Sequence, residues 1–301
     1  LCSSWPSPSL ADAARPRTGG ATESLIALLC GVVAHAWARL RQMKRTLALL
    51  LALLALHALA NPYADKAQTR VLHGWVEPDG TRIAALEITL AEGWHTYWRA
   101  PGDAGIPPSF NWQGSRNLAS ATPAWPRPTV YSQNGMRSII YTGRLVLPIS
   151  LTPKTSDKPI RVKGTVDIGV CKDICVPFQI VVDETIKADS TAATQAIKTA
   201  LATVPRTGAQ RVSCNTPLGE RGIQLTVTAS LPHLGGAEDA AIETGDPLVW
   251  ATDPEVSRSG QTLTLKTELI HALSGAFALN RSALRLTLIG TDNAIDIQGC
   301  D

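Results

Sequence analysis

Hydrophobic and polar positions alternate with a period of two along most of the chain beyond residue 60. Leu145, Leu147, Ile149 and Leu151 interleave with polar or small neighbours, as do Ile160, Val162, Val166, Ile168 and Val170, with Gly164 interrupting the row. The pattern returns at Ile223, Leu225, Val227 and Ala229, at Leu263, Leu265 and Leu269 across Thr267, and at Leu284, Leu286 and Leu288. A turn at Asp292-Asn293 then leads into Ala294-Ile295-Asp296-Ile297. A strand sends successive side chains to opposite faces, so these rows predict half-buried strands, and the Gly, Pro, Asn and Asp clusters between them predict turns. The expected fold class is all-β, with two β-sandwich domains joined by a short helix and linker.

One stretch departs from that period. Between Ser190 and Val204, Ala193, Ala196, Ile197, Ala200, Leu201 and Val204 fall at helical spacing, with Asp189 or Ser190 as N-cap and Pro205 just past the end. Arg206-Thr207-Gly208 reads as a linker, which sets a domain boundary near residue 205. Trp75, Trp94, Trp98, Trp112 and Trp125 precede that boundary and Trp250 follows it, so the two halves build different cores. The expected organisation is an upstream extension at 1–42, a signal peptide at 43–60, a first sandwich at 61–187, the helix and linker at 188–208 and a second sandwich at 209–301.

The leader is read from three segments. Met43-Lys44-Arg45, the apolar run Leu47 to Leu56 and Ala58-Leu59-Ala60 are the basic, apolar and small-x-small parts of a secretory signal, in order. The apolar run is shorter than the roughly 20 residues of a spanning helix. Cleavage after Ala60 is therefore expected, leaving a soluble exported chain from Asn61. Residues 1–42 read as sequence upstream of the true start; the alternative is a genuine long leader with a second apolar patch at Leu25 to Val33. Cys30 follows Leu28-Leu29, without the small residue a lipobox places there, so no lipid anchor is expected. The whole chain carries a net charge of +3, but removing six basic and two acidic leader residues leaves 22 basic and 23 acidic, a net −1. No basic patch remains to attract nucleic acid or an anionic membrane.

Four cysteines follow the leader: Cys171, Cys175, Cys214 and Cys300. An even number in an exported chain fits two disulfides, and spacing makes 171–175 with 214–300 the simplest pairing. A Cys214–Cys300 bond would staple the second sandwich by closing a loop of about 87 residues, worth about 4–5 kcal/mol in the chain-entropy account. Cys171 and Cys175 lie between the row ending at Val170 and another strand from Val176 to Val182, so they face each other across Lys172-Asp173-Ile174. Three-residue hairpin loops favour Gly or Asn in the last, left-handed position. Ile174 resists positive φ. Either another turn type or a strained one is expected, and strain would make the bond redox-labile. Spacing alone favours a structural clasp, because CxxxC is not the CxxC of a thioredoxin-type site and no helix N-terminus is predicted beside it. Two thiolates with His95 could hold copper(I) or zinc, but no further Cys or His stands at ligand spacing. No metal and no cofactor is expected.

A second cluster runs from Gly93-Trp94-His95-Thr96-Tyr97-Trp98-Arg99 into Ala100-Pro101-Gly102-Asp103-Ala104-Gly105-Ile106-Pro107-Pro108. One reading is a core strand followed by an irregular loop, with Trp94, Tyr97 or Trp98 as packing anchors and Arg99 and Asp103 as loop charges. The other is a flap, in which Trp94, His95, Tyr97 and Trp98 shield the cysteines from stray thiols and open for a partner, since exchange depends on access.

At these motifs the sequence resembles a known family, the amino-terminal periplasmic domain of the disulfide reductases DsbD and ScsB. The resemblance is carried by residues 93–99, Pro101-Gly102-Asp103, Ile106-Pro107-Pro108, Trp125-Pro126, Tyr141-Thr142-Gly143, Leu145-Val146-Leu147-Pro148 and Val170-Cys171-Lys172-Asp173-Ile174-Cys175-Val176-Pro177. It covers roughly residues 70–187 and is closer to ScsB, whose periplasmic portion has two immunoglobulin-like sandwiches. It implies an immunoglobulin-like fold and places Cys171 and Cys175 as a pair that shuttles reducing equivalents through mixed disulfides. The implied partners are a membrane-embedded electron relay and periplasmic thioredoxin-like or disulfide proteins.

DsbD and ScsB continue into membrane-spanning and thioredoxin-like domains, which this sequence does not contain. The expectation is therefore an electron carrier served by separate partners. The alternative is a non-enzymatic, disulfide-stapled binding module that engages a protein or a copper ion.

Overall fold

A computed structural model of the chain describes residues 37, 39–46, 63–102, 105–133, 135–187, 195–208, 212–273 and 277–300. It divides into two compact units, Leu1–Pro62 and Tyr63–Asp301. In the first, residues 39–46 are helical and exposed, and include Met43-Lys44-Arg45. The expected apolar run, the cleavage site at Ala60 and Cys30 lie outside the described residues, as do Asp103, Asp189, Ser190 and Ala193. No helix among the described residues is long and apolar enough to cross a membrane.

The second unit holds two β-sandwiches. In the first, β1 (Ala67–Val76), β2 (Arg82–Leu90), β8 (Arg144–Pro153) and β5 (Leu118–Pro123) form one sheet in the order β1-β2-β8-β5. The facing sheet runs β10-β9-β3-β7-β6, from β10 (Cys175–Ile186), β9 (Ile160–Cys171) and β3 (His95–Gly102) to β7 (Met136–Thr142) and β6 (Thr129–Gln133). A short β4 (Ser109–Asn111) also pairs with β9. The alternating rows at 145–151, 160–170 and 176–182 are strands β8, β9 and β10, and their inward residues meet Leu86, Ile88, Trp98 and Ile139 in one core. Gly164 interrupts its row because β4 crosses there: a Cβ at this position would run into the Asn111 carbonyl.

Strand β2 is buried on both faces, which its alternation does not announce. Ala84, Leu86 and Ile88 face the core, while Ile83 and Ala85 pack outward with Val146 under Ile197 of the helix Gln195–Ala202. Full burial of Ile197 contributes on the order of 1.5–3 kcal/mol. The outer row continues to Glu87, which is buried and held by Arg70 and Arg144. A buried carboxylate is tolerated only with such partners.

The second sandwich has the sheets β11-β19-β18-β14 and β12-β13-β17-β15, with β16 (Glu255–Ser259) also on β17. Its strands are β11 (Arg206–Thr207), β12 (Val212–Asn215), β13 (Ile223–Ser230), β14 (Asp239–Glu243), β15 (Val249–Ala251), β17 (Thr262–His271), β18 (Arg285–Ile289) and β19 (Ala294–Gln298). Leu225, Val227, Leu263, Leu265, Leu286, Leu288 and Ile297 fill its core. Arg206 and Thr207, read from the sequence as linker, instead pair in parallel with Ile295 and Asp296. Cys214 and Cys300 are bonded, with Cα atoms 5.8 Å apart, joining β12 to the chain just past β19.

The two sandwiches touch. Ala241 and Ile289 of the second pack into the core of the first. Arg99 of β3 pairs with Glu243, and Arg137 of β7 with Asp239. Beside these pairs lies a cleft of about 810 Å³, bounded by Ala100 to Gly102 on one side and Trp250 on the other.

Candidate active site around the Cys171–Cys175 disulfide

Cys171 ends β9 and Cys175 begins β10, directly opposite each other in the antiparallel register, and the two are bonded, with Cα atoms 4.1 Å apart. Lys172 N–H donates to the Ile174 carbonyl at 3.1 Å, which closes the connection around Asp173. Ile174 is not at positive φ; among the described residues Asn117 is the only non-glycine there. Of the two alternatives the sequence leaves at Ile174, the loop therefore takes the other turn type and not the left-handed one. The two sulfurs stand in different surroundings: Cys171 is 1% exposed, whereas Cys175 is classed as exposed.

On the other edge of β9, His95 pairs with Cys171, and Tyr97, two residues on, shares its face. The Tyr97 hydroxyl donates to Cys171 Sγ at 3.1 Å and lies 3.3 Å from Cys175 Sγ. Gly169 makes room for this ring, since a Cβ there would come within 3.2 Å of Tyr97 Cε2 and 2.9 Å of Ile106 Cβ. Burial raises the Tyr97 pKa above its ordinary value, which keeps the hydroxyl a donor. Burial lowers the His95 pKa, favouring the neutral imidazole. The His95 and Tyr97 rings meet edge to face, with centroids 5.3 Å apart.

The same alternation corrects the flap. Residues 95–102 are a strand in the middle of the sheet, so His95 and Tyr97 reach the cysteines while Trp98 points the other way. Trp98 is fully buried in the sandwich core, with the Arg99 guanidinium carbon 3.9 Å from its ring centre. Trp94 packs on that core beside Tyr63. Neither tryptophan lines the disulfide pocket.

Opposite the cysteines stand residues that sequence reasoning missed. A pocket of about 260 Å³ is lined by His95, Tyr97 and residues 171–175 on one side and by Tyr131, Met136 and Ser138 on the other. Tyr131 and Met136 flank the tip of the β6–β7 hairpin, where Gln133 pairs with Met136. Asn-Gly between alternating residues is the strongest short hairpin signal and was there to be read. Tyr131, Met136 and Ile174 are exposed, giving the pocket an apolar rim. No group of three or more His, Cys, Asp or Glu side chains among the described residues is placed to hold a metal ion.

A disulfide seated at the end of two paired strands of an immunoglobulin-like sandwich, with one cysteine buried and the other exposed, is what a thiol–disulfide interchange domain of the β class presents. Residues 66–186, from just before β1 to the end of β10, match the family "Thiol:disulfide interchange protein DsbD, N-terminal", and this sandwich is a DsbD/ScsB-type N-terminal domain. Among solved structures, the N-terminal periplasmic domain of ScsB from Proteus mirabilis aligns at a TM-score of 0.62 and 22% identity, over 80% of this chain and 95% of that one. The shared fold therefore extends well beyond the first sandwich. The reduced N-terminal domain of DsbD from Neisseria meningitidis aligns over 44% of this chain and 94% of that one at 12% identity, with a TM-score of 0.27. No curated protein is significantly similar in sequence.

Proposed function

We propose that the protein is an exported, periplasmic thiol–disulfide exchange protein that relays reducing equivalents through Cys171 and Cys175. The donor in this reading is a membrane electron-relay partner, and the acceptors are periplasmic thioredoxin-like or disulfide proteins. The observation that carries it is the asymmetry of the pair, one sulfur-bearing residue exposed and the other buried beneath a phenol.

Exchange requires in-line attack by a thiolate on one sulfur and departure of the other as thiolate. A donor thiolate attacks Cys175 Sγ, the Cys171–Cys175 bond breaks, and Cys171 leaves as a thiolate that accepts the Tyr97 O–H. A second donor thiolate attacks the donor's sulfur in the mixed disulfide. This releases Cys175 as a thiolate and the donor as a disulfide, leaving the pair with two electrons. The reverse sequence delivers those electrons: Cys175 thiolate attacks an acceptor disulfide, and Cys171 then displaces the acceptor as a dithiol. The apolar rim of Tyr131, Met136 and Ile174 gives a partner a surface to seat on while this happens.

The test is capture in cells. In a Cys171→Ala variant the mixed disulfide at Cys175 has no resolving thiol, so thiol-sensitive adducts should accumulate on non-reducing gels. If neither this variant nor Cys175→Ala captures a partner, and losing either cysteine only lowers the melting temperature, the pair is a clasp and the reading fails.

A further inference from the structure

The hairpin that forms the far wall of the pocket is joined to the rest of its sheet on one side only, through an interrupted ladder. Strand β6 lies at the sheet edge, so β7 relies on β3. That ladder is broken: Tyr97 pairs with Ile140, but the next paired residues are Gly102 and Ser138, five positions along one strand against two along the other. The break leaves Ile139 without a β3 partner, and the ladder ends one pair later at Ser138, which faces the pocket with Met136. Between them, Arg137 reaches out to the second sandwich. Its guanidinium donates to both carboxylate oxygens of Asp239 and, at 2.6 Å, to the Ala240 carbonyl, with the side chain only 11% exposed. Further along β7, Ile140 packs with Tyr97 and Cys171 as a separate buried cluster.

We propose that Arg137 is a positioning residue for the dithiol: the second sandwich, through Asp239 and Ala240, holds β7 where its own ladder cannot, and thereby keeps Cys171 covered while Cys175 stays open. The proposal rests on the exchange reading above and assigns the second sandwich a part in it. Arg99, tied to Glu243 and Thr287, braces β3 in the same way, two residues from Tyr97.

The test uses the full chain, reduced and treated briefly with iodoacetamide, with modification of each cysteine read by peptide mass spectrometry. Wild type should react at Cys175 far ahead of Cys171. In Arg137→Ala and in Asp239→Ala the Cys171 to Cys175 ratio should rise about fivefold, the effect of about 1 kcal/mol on a local opening. The double variant should not exceed the larger single, because both remove one interaction. A ratio in Asp239→Ala equal to wild type overturns the proposal. So does an additive double variant, or a rise that merely tracks a falling melting temperature. If Arg137→Ala does not fold, Asp239→Ala, on the other sandwich, carries the test. The probe needs no partner protein, so this result and partner capture can fail independently.

Discussion

The phenolic oxygen of Tyr97 lies 3.1 Å from Cys171 Sγ and 3.3 Å from Cys175 Sγ, so one donor serves both ends of the disulfide. The bond it makes to a thiolate is stronger than the bond it makes to a neutral disulfide sulfur, so it favours the reduced pair.

Tyr97→Phe should therefore make the pair harder to reduce. A hydrogen bond to a charged group contributes about 1.5–3 kcal/mol, which for a two-electron couple is roughly 30–60 mV. Equilibration with glutathione at a pH where Cys171 is ionised should show a potential more negative by that amount. An unchanged or more positive potential would remove Tyr97 from the chemistry.

Gly169→Ala should act on the same contact from behind. The new methyl group meets Ile106 and the Tyr97 ring at less than ordinary contact distance. Overpacking of this kind costs about 1–3 kcal/mol. Denaturant melts should show the loss, and the reduction potential should move in the same direction as in Tyr97→Phe. A destabilised protein with an unmoved potential would mean that Tyr97 had not been displaced.

His95 gives the fold an acid sensitivity of its own. Burial holds its folded pKa below the unfolded value of 6.5. Below that pH the unfolded chain therefore binds more protons than the folded one, and stability falls as pH drops from about 6.5 toward the folded pKa. Carboxylates titrate lower, and comparison with a variant that lacks only this imidazole cancels what every other group contributes in that window. Melting temperatures across that window should fall less in His95→Gln than in wild type, and parallel curves would contradict this.

The second disulfide should behave as a staple. Cys214→Ala with Cys300→Ala opens a link between residues 86 positions apart, and neither residue lines the Cys171–Cys175 pocket. The loss should be about 2–5 kcal/mol in chemical denaturation. The Cys171–Cys175 potential should stay where it was, and a shift in it would give the second pair a redox role.

What the sequence discloses here is whatever a period of two can encode. Leu145–Leu151, Ile160–Val170 and Leu263–Leu269 alternate because one face is core, and each is a strand. The close cysteine pair is legible for the same reason, being two strand ends brought into register. The Trp94–Trp98 run was harder to place, because aromatics before a Gly/Pro-rich loop suit a flap as well as a strand. Parity decides it, since His95 and Tyr97 cannot share a face with Trp98. Tyr131 and Met136 were missed although Asn134-Gly135 marks their hairpin, because nothing local says what a hairpin tip will touch. The Arg137–Asp239 and Arg99–Glu243 pairs join residues 102 and 144 positions apart, and charge alone does not select those partners among many.

The helix Gln195–Ala202 has a mechanical consequence. Ile197 anchors it to the first sandwich, and Arg127 N–H donates to the Thr203 carbonyl at 2.9 Å, while β11 of the second sandwich begins at Arg206. The segment between the two sandwiches is thus Val204, whose N–H donates to the Leu201 carbonyl at 3.2 Å, and the buried Pro205, a reach of roughly 10 Å from Thr203 to Arg206 even when fully extended. A leash so short leaves room for a pivot and none for departure. Were the arginine ties and the Ala241 and Ile289 packing released together, the second sandwich would stay within recapture distance. Its return would be an intramolecular event, independent of protein concentration.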